Sequence, residues 1–264
     1  MQRRQFIAAS LAASGAAFTR EGFAQVAANR TREFYQLRRY FLQSGPQTAL
    51  TERYIGEALI PALGRMRMGP VGAFQLEIGP ETPTFYVLIP GASVEALAEV
   101  DLRLAEDAEF LKAADAFWNA PATAPSFLRV ESSLLVAFEG WPRVTPPAAS
   151  AANAKRIFQL RTYESASNKD HVLKVRMFHS GEFEIFQDAG FHPVFFGDTL
   201  IGPQMPNLTY MLSFTDMAEL DAKWDIFRNH PAWKKLSNDP RFSYEAIVSK
   251  ISNQILRPLA YSQI

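Results

Sequence analysis

Tyr35-Gln36-Leu37-Arg38-Arg39-Tyr40 recurs 123 residues later as Phe158-Gln159-Leu160-Arg161-Thr162-Tyr163. Ile78-Gly79-Pro80 returns at the same offset as Ile201-Gly202-Pro203, and Leu97 returns as Leu220. Thr84-Phe85-Tyr86-Val87-Leu88 answers Leu208-Thr209-Tyr210-Met211-Leu212, one residue out of step. Short matches in one order and nearly one spacing mark an internal duplication. The chain therefore reads as two copies of one unit, over 30–141 and 156–264. The stretch 142–155, rich in Pro, Ala and Ser, is the linker between them.

Each copy follows the same pattern. The Gln-Leu-Arg-x-Tyr segment alternates as a strand does, and helices are expected over Gln47 to Arg67 and Lys169 to Asp188. Strands follow near Gly72 to Ile78 and Val194 to Leu200, then Phe85 to Ile89 and Thr209 to Phe214, with Gly-Pro turns between. Next come helices over Ser93 to Arg103 and Asp216 to Arg228. In the latter, Asp216 and Glu219 are spaced as a capping box. A short helical piece carries Trp118 or Trp233. Last strands lie near Phe127 to Phe138 and Ala246 to Leu256. Strand-helix-strand-strand-helix-strand is the ferredoxin-like order. The expected class is α+β, with two tandem ferredoxin-like repeats packed sheet on sheet.

The amino terminus is a different kind of sequence. Arg3-Arg4-Gln5-Phe6-Ile7 leads into a 12-residue apolar run, Ile7 to Phe18, and then Gly22-Phe23-Ala24. A basic start, an apolar middle and small residues before the cut describe an export signal over 1–24. The paired arginines suggest the twin-arginine route, with Gln2 and Ala8 departing from that pattern. The run is too short to span a bilayer, so no stable membrane insertion is expected after cleavage, and the expected location is periplasmic or secreted. Cleavage leaves 24 basic and 26 acidic residues, a nearly neutral protein with no field favouring nucleic acid. The absence of cysteine removes disulfides, thiolate metal sites and cysteine nucleophiles together.

Phe158-Gln159-Leu160-Arg161-x-Tyr163, Met177-Phe178-x-x-Gly181-Glu182 and Pro193-Val194-Phe195-Phe196-Gly197 resemble the NIPSNAP pattern. Pro206-Asn207-Leu208-Thr209-Tyr210-Met211-Leu212, and Trp224 followed by Pro231-x-Trp233-Lys234, resemble it too. The resemblance covers both halves and is stronger in the second. It implies the dimeric α/β-barrel type of fold. It also implies a range of chemistries: cofactor-independent monooxygenases, haem-binding enzymes and small-molecule isomerases. It supplies no catalytic residue, and fold analogy does not choose among these reactions.

The first helix of the second half is the most informative stretch. On a uniform 100° wheel, Val172, Val175, Phe178, Phe183, Ile185, Phe186 and Ala189 share an arc, with His179 and Glu182 inside it. Lys174 and Arg176 fall on the opposite, polar face. A carboxylate on an apolar stripe is costly to bury unless paired or protonated, and burial raises its pKa as a general base or acid requires. The competing reading is a buried ion pair of Glu182 with Arg161 or a neighbour of it. His179, one turn from Glu182, could share a ligand atom with it. His171, His192 and His230 add no metal-ligand spacing, so no metal is expected and the cofactor stays open. The first half has Gly56 for His179 and Leu59 for Glu182, and reads as the packing partner of the second.

Arg161 and Tyr163 lie with Gln159 on one face of their strand. That face either lines a pocket for an anionic or carbonyl-bearing group or holds the two sheets in register. Asn207 and Tyr210, beside a turn, and Phe196, in an aromatic-rich set with Trp224, Phe227 and Trp233, complete the candidate ligand-binding residues. Dinucleotide, P-loop, nucleophile-elbow and zincin signatures are absent from the sequence. Three functions stay open: binding of a small, largely apolar ligand in the second repeat; a metal-independent oxygenase or isomerase with Glu182 as general base; and a structural or assembly protein. A homodimer is expected because ferredoxin-like sheets often leave an edge open.

Overall fold

Alternating residues make the repeated segment a strand in both copies: β1 (Phe34–Phe41) and β5 (Ile157–Glu164). The computed structural model describes residues 32–264, and the expected export signal, 1–24, lies outside them. The other strands are β2 (Gly72–Ile78), β3 (Thr84–Gly91) and β4 (Arg129–Ala137) in the first repeat. The second repeat supplies β6 (His192–Ile201), β7 (Asn207–Phe214) and β8 (Lys250–Pro258). All pairings are antiparallel, and the strand order β4-β1-β3-β2 in the first repeat is matched by β8-β5-β7-β6 in the second. That is the ferredoxin-like arrangement, twice.

The two sheets do not stack face to face as two separate layers, which corrects the sheet-on-sheet expectation. They join edge to edge, β2 on β8 and β4 on β6, into a closed eight-stranded barrel. An outer strand of an isolated sheet presents unpaired N–H and C=O groups, and closure within one chain gives each outer strand a partner from the other repeat. The open edge behind the homodimer expectation is thereby used up.

Closure also decides what faces where. Tyr35, Leu37, Tyr86 and Leu88 meet Phe158, Leu160, Phe195 and Met211 in the barrel interior. Because side chains alternate along a strand, Gln36, Arg38 and Tyr40, like Gln159, Arg161 and Tyr163, point outward beneath the helices. The Gln-Arg-Tyr face therefore does not hold two sheets in register. It forms the floor under each repeat's helical layer, where Tyr40 and Tyr163 each join a helix-side core.

Each expected first helix is interrupted. In the first repeat α1 (Pro46–Arg53) passes through a π turn, Tyr54–Leu59, into α2 (Ile60–Arg65). The later helices of that repeat are α3 (Val94–Ala98), α4 (Val100–Leu104) and α5 (Ala108–Trp118), and α6 (Ala148–Ala151) lies in the connector. In the second repeat α7 (Asn168–Met177) passes through a π turn, Phe178–Glu182, into α8 (Phe183–Asp188). Then come α9 (Met217–Asn229), α10 (Pro231–Ser237) and α11 (Tyr244–Ile247). The Asp216 side chain caps α9 by accepting from Glu219 N at 2.9 Å, as the spacing predicts. The last strand begins at Lys250 rather than Ala246, the intervening residues being spent on α11.

Candidate functional site

The site is set by a break in the helix that follows β5. Gly181 takes φ +124°, a backbone region that side-chain-bearing residues rarely adopt, and Ser180 leaves helical geometry beside it. The break carries Glu182 onto the start of α8, turned back toward α7. There Glu182 Oε2 accepts from Lys174 Nζ at 2.6 Å, with the lysine 0% and the glutamate 2% exposed. Burial pushes the Glu182 carboxyl above its ordinary value, while the Lys174 ammonium and the Arg161 guanidinium pull the other way. Glu182 is in a buried ion pair, but its partner is not Arg161: it is Lys174, which a uniform helical wheel puts on the polar side. A wheel drawn across a glycine break loses its phase.

The floor beside this pair comes from β5 and β8. Arg161 Nη2 donates to Tyr163 Oη at 3.0 Å, and Tyr163 Oη shares a hydrogen bond with Tyr210 Oη at 2.8 Å. Burial holds the Tyr210 phenol well above its ordinary value. The Arg161 guanidinium carbon lies 4.4 Å from the Trp224 ring centroid, a cation–π contact, and Lys174 Nζ lies 4.3 Å from that of Phe178. Trp224 Nε1 donates to Gln159 Oε1 at 2.7 Å, and Gln159 Nε2 donates to Asn253 Oδ1 at 2.9 Å. Over this floor α9, α10 and the turn after it leave a cavity of about 800 Å³. Trp224, Phe227 and Trp233 supply its aromatic wall; Arg161, Tyr163, Glu182 and Asn253 supply polar groups. That volume is in the range of small-molecule sites.

The structure unites only part of the expected set. Arg161, Tyr163 and Glu182 line this cavity, and Tyr210 supports it from behind through Tyr163. His179 does not join them. It is exposed, Nδ1 donates to Val175 O at 2.9 Å, Nε2 accepts from Gly140 N at 3.2 Å, and it borders a separate cavity of about 780 Å³ with Phe138 and Arg176. The helix break sends the two neighbours to different sides, so they share no ligand atom. Asn207 is a turn cap: Oδ1 accepts from Thr199 Oγ1 at 2.7 Å, and Nδ2 donates to Pro203 O at 2.9 Å. Phe196 is core, packed on Tyr210 and Phe178 at 5.3 and 5.4 Å. Sequence reasoning missed Lys174 and Asn253, whose places depend on the break and on the β5–β8 register.

The first repeat builds the matching place from other residues. Leu59 occupies the place of Glu182, fully buried, and Thr51 that of Lys174, its hydroxyl donating to Ser126 O at 3.2 Å. Tyr54 and Phe117 stack with ring centroids 3.8 Å apart beneath the helices. Arg38 Nη1 donates to Asp101 Oδ1 at 2.9 Å.

This arrangement is similar to known proteins at two levels. Two solved structures named "putative monooxygenase" share the fold. The one from Lactobacillus acidophilus has 8% identity and TM-score 0.55, covering 86% of this chain and 94% of that one. The one from Fusobacterium nucleatum has 9% identity and TM-score 0.53, covering 86% and 93%. A NIPSNAP-like domain protein of Burkholderia xenovorans is 17% identical over 40% of this chain and 88% of its own, with TM-score 0.37. No curated protein matches the sequence. The NIPSNAP family model matches twice, over residues 35–137 and 158–263.

Proposed function

The chain belongs to the NIPSNAP family, and from that premise we propose that its second repeat binds one small, largely apolar molecule in the cavity between β5 and helices α9 and α10. The observation that carries this reading is the difference between the repeats. One sheet-and-helix frame is built twice. In the first copy Leu59 is buried and Tyr54 stacks on Phe117, and in the second an aromatic wall and the buried Lys174–Glu182 pair stand at a cavity of about 800 Å³. Burying a lysine and a glutamate is costly compared with an apolar pair, so the second copy carries a cost that the first copy shows the fold does not need. A binding site accounts for that cost.

Glu182 has the character of a positioning group. Its Oε2 already accepts from Lys174 Nζ at 2.6 Å, which stabilises the charged form and fixes where the carboxylate points. Binding by the aromatic wall needs no general base. The reading includes export: residues 1–24 are a cleaved signal, and a mature mass beginning at Gln25 in the periplasmic or secreted fraction is the expected result, whereas an intact amino terminus there would refute cleavage.

Native mass spectrometry tests the site on protein purified from its own host, beside the variant Ser237→Trp, which fills the cavity rim. A bound mass in the wild type that disappears from the variant supports the reading. A mass retained by the filled variant, or no binding of any member of a bicyclic aromatic fragment set, sinks it.

A further inference from the structure

The hydrogen-bond chain across the cavity floor has a direction, and chemistry alone fixes it. An indole has one N–H donor and no acceptor, so Trp224 Nε1, 2.7 Å from Gln159, must face the amide oxygen. Gln159 is 1% exposed, and the indole N–H fixes which way its amide lies. Its NH2 therefore faces Asn253, 2.9 Å away, and must meet the oxygen of that side chain. Asn253 lines the cavity. With its oxygen engaged by Gln159, the amide atom left to offer a ligand is Nδ2, a donor.

The neighbour strengthens the same polarity. Arg161 and Asn253 are partners in the β5–β8 register and stand side by side on the floor, and a guanidinium has donors and no acceptor. The first repeat has no such chain, since Gln36 Oε1 there accepts from Arg38 Nε at 3.0 Å and Asp101 stands where Trp224 would be.

We propose that Asn253, oriented by the Trp224–Gln159 chain, is a specificity-determining donor, and that the ligand of this cavity carries a carbonyl oxygen, as ketone or carboxylate, on an aromatic or apolar body. The proposal rests on the binding reading above and adds the polarity of the ligand's head group. The body lies against Trp224, Phe227 and Trp233, and its oxygen accepts from Asn253 Nδ2. A ligand offering only donors sets that amide against another donor, and a purely apolar one makes no hydrogen bond with it.

Tryptophan fluorescence titration with three probes decides it. 2-Acetonaphthone carries the ketone, 2-isopropenylnaphthalene replaces its C=O by C=CH2 at nearly constant shape, and 2-naphthoate carries the carboxylate. The expected result is that the ketone or the carboxylate binds about tenfold more tightly than the hydrocarbon, one hydrogen bond's worth. Whichever of the two is tighter names the head group. Asn253→Asp, which removes the donor at an exposed position, is expected to erase the preference. Trp224→Phe, which removes the N–H that sets the chain, is expected to narrow it. Equal binding of all three probes, or a preference unchanged in Asn253→Asp, overturns the donor assignment and leaves the cavity reading standing. Binding of none of them overturns both.

Discussion

Asp101 and Trp224 stand at the same place in the two repeats, 123 residues apart, and each meets the arginine of its own strand. Asp101 Oδ1 accepts from Arg38 Nη1 at 2.9 Å, whereas the Trp224 ring lies 4.4 Å from the Arg161 guanidinium carbon and sends its N–H to Gln159. One frame thus holds a salt bridge in the first repeat and an aromatic wall with a directed hydrogen-bond chain in the second. The duplication supplies its own control for every contact at the site.

The first prediction concerns the buried pair. Lys174→Met takes from the buried Glu182 its hydrogen-bonded counter-charge, and the expected loss is about 3–5 kcal/mol. The double variant Lys174→Met/Glu182→Leu brings an apolar pair to the place where the first repeat has Thr51 and Leu59. It is expected to recover that loss, since well-packed apolar replacements of buried ion pairs are often neutral or stabilising. Urea midpoints of the three proteins check this, and a double variant no better than the single one counts against it.

Gly181→Ala should act through the backbone alone. A Cβ at this position meets nothing within 4 Å, so the cost comes from φ +124°. About 1–3 kcal/mol is expected. The helix break positions Glu182, so cavity ligands should also weaken. Unchanged stability in denaturant would show that the break does not depend on glycine.

In the first repeat Asp101→Asn takes the charge partner from a guanidinium that is 5% exposed. The expected cost is about 1–3 kcal/mol, toward the lower end because the Asp101 side chain is itself 64% exposed and screened. Thermal unfolding reads it, and binding at the second repeat should not change.

Acid should weaken the start of α9. Burial alone would raise the Glu219 carboxyl, but Lys223 and the Thr215 N–H and hydroxyl bring it from 4.5 down to about 2. A carboxyl depressed in the folded state contributes stability that is full above about 4.5 and is lost as pH falls toward 2. Glu219→Gln should therefore show a smaller fall in melting temperature over that window than the wild type. Parallel curves would assign the acid sensitivity to other groups.

Much of this was legible in the residues themselves. The offset repeat and the alternation of β1 and β5 gave two ferredoxin-like units, because side-chain period and local order are written in neighbouring residues. Strand alternation singles out Arg161 and Tyr163 as one polar face, and an apolar helical arc singles out Glu182, both without coordinates. A helical wheel puts His179 beside Glu182 because it assumes constant phase, and the turn at Gly181 breaks that phase. Asn207 and Phe196 were drawn in by residue type, and only their contacts show a turn cap and a core ring.

By itself, then, the sequence determined the duplication, the elements of each repeat and the asymmetry between Leu59 and Glu182. Tertiary structure alone decided that the sheets close edge to edge, that the Gln-Arg-Tyr faces turn outward to the helices, and that Lys174 rather than Arg161 bonds Glu182. It also brought Asn253 to Gln159, 94 residues away. The division has one physical cause. Periodicity and local propensity are properties of adjacent residues, whereas strand pairing, the direction of a sheet's face and the partner of a buried charge depend on segments that meet only when the barrel closes.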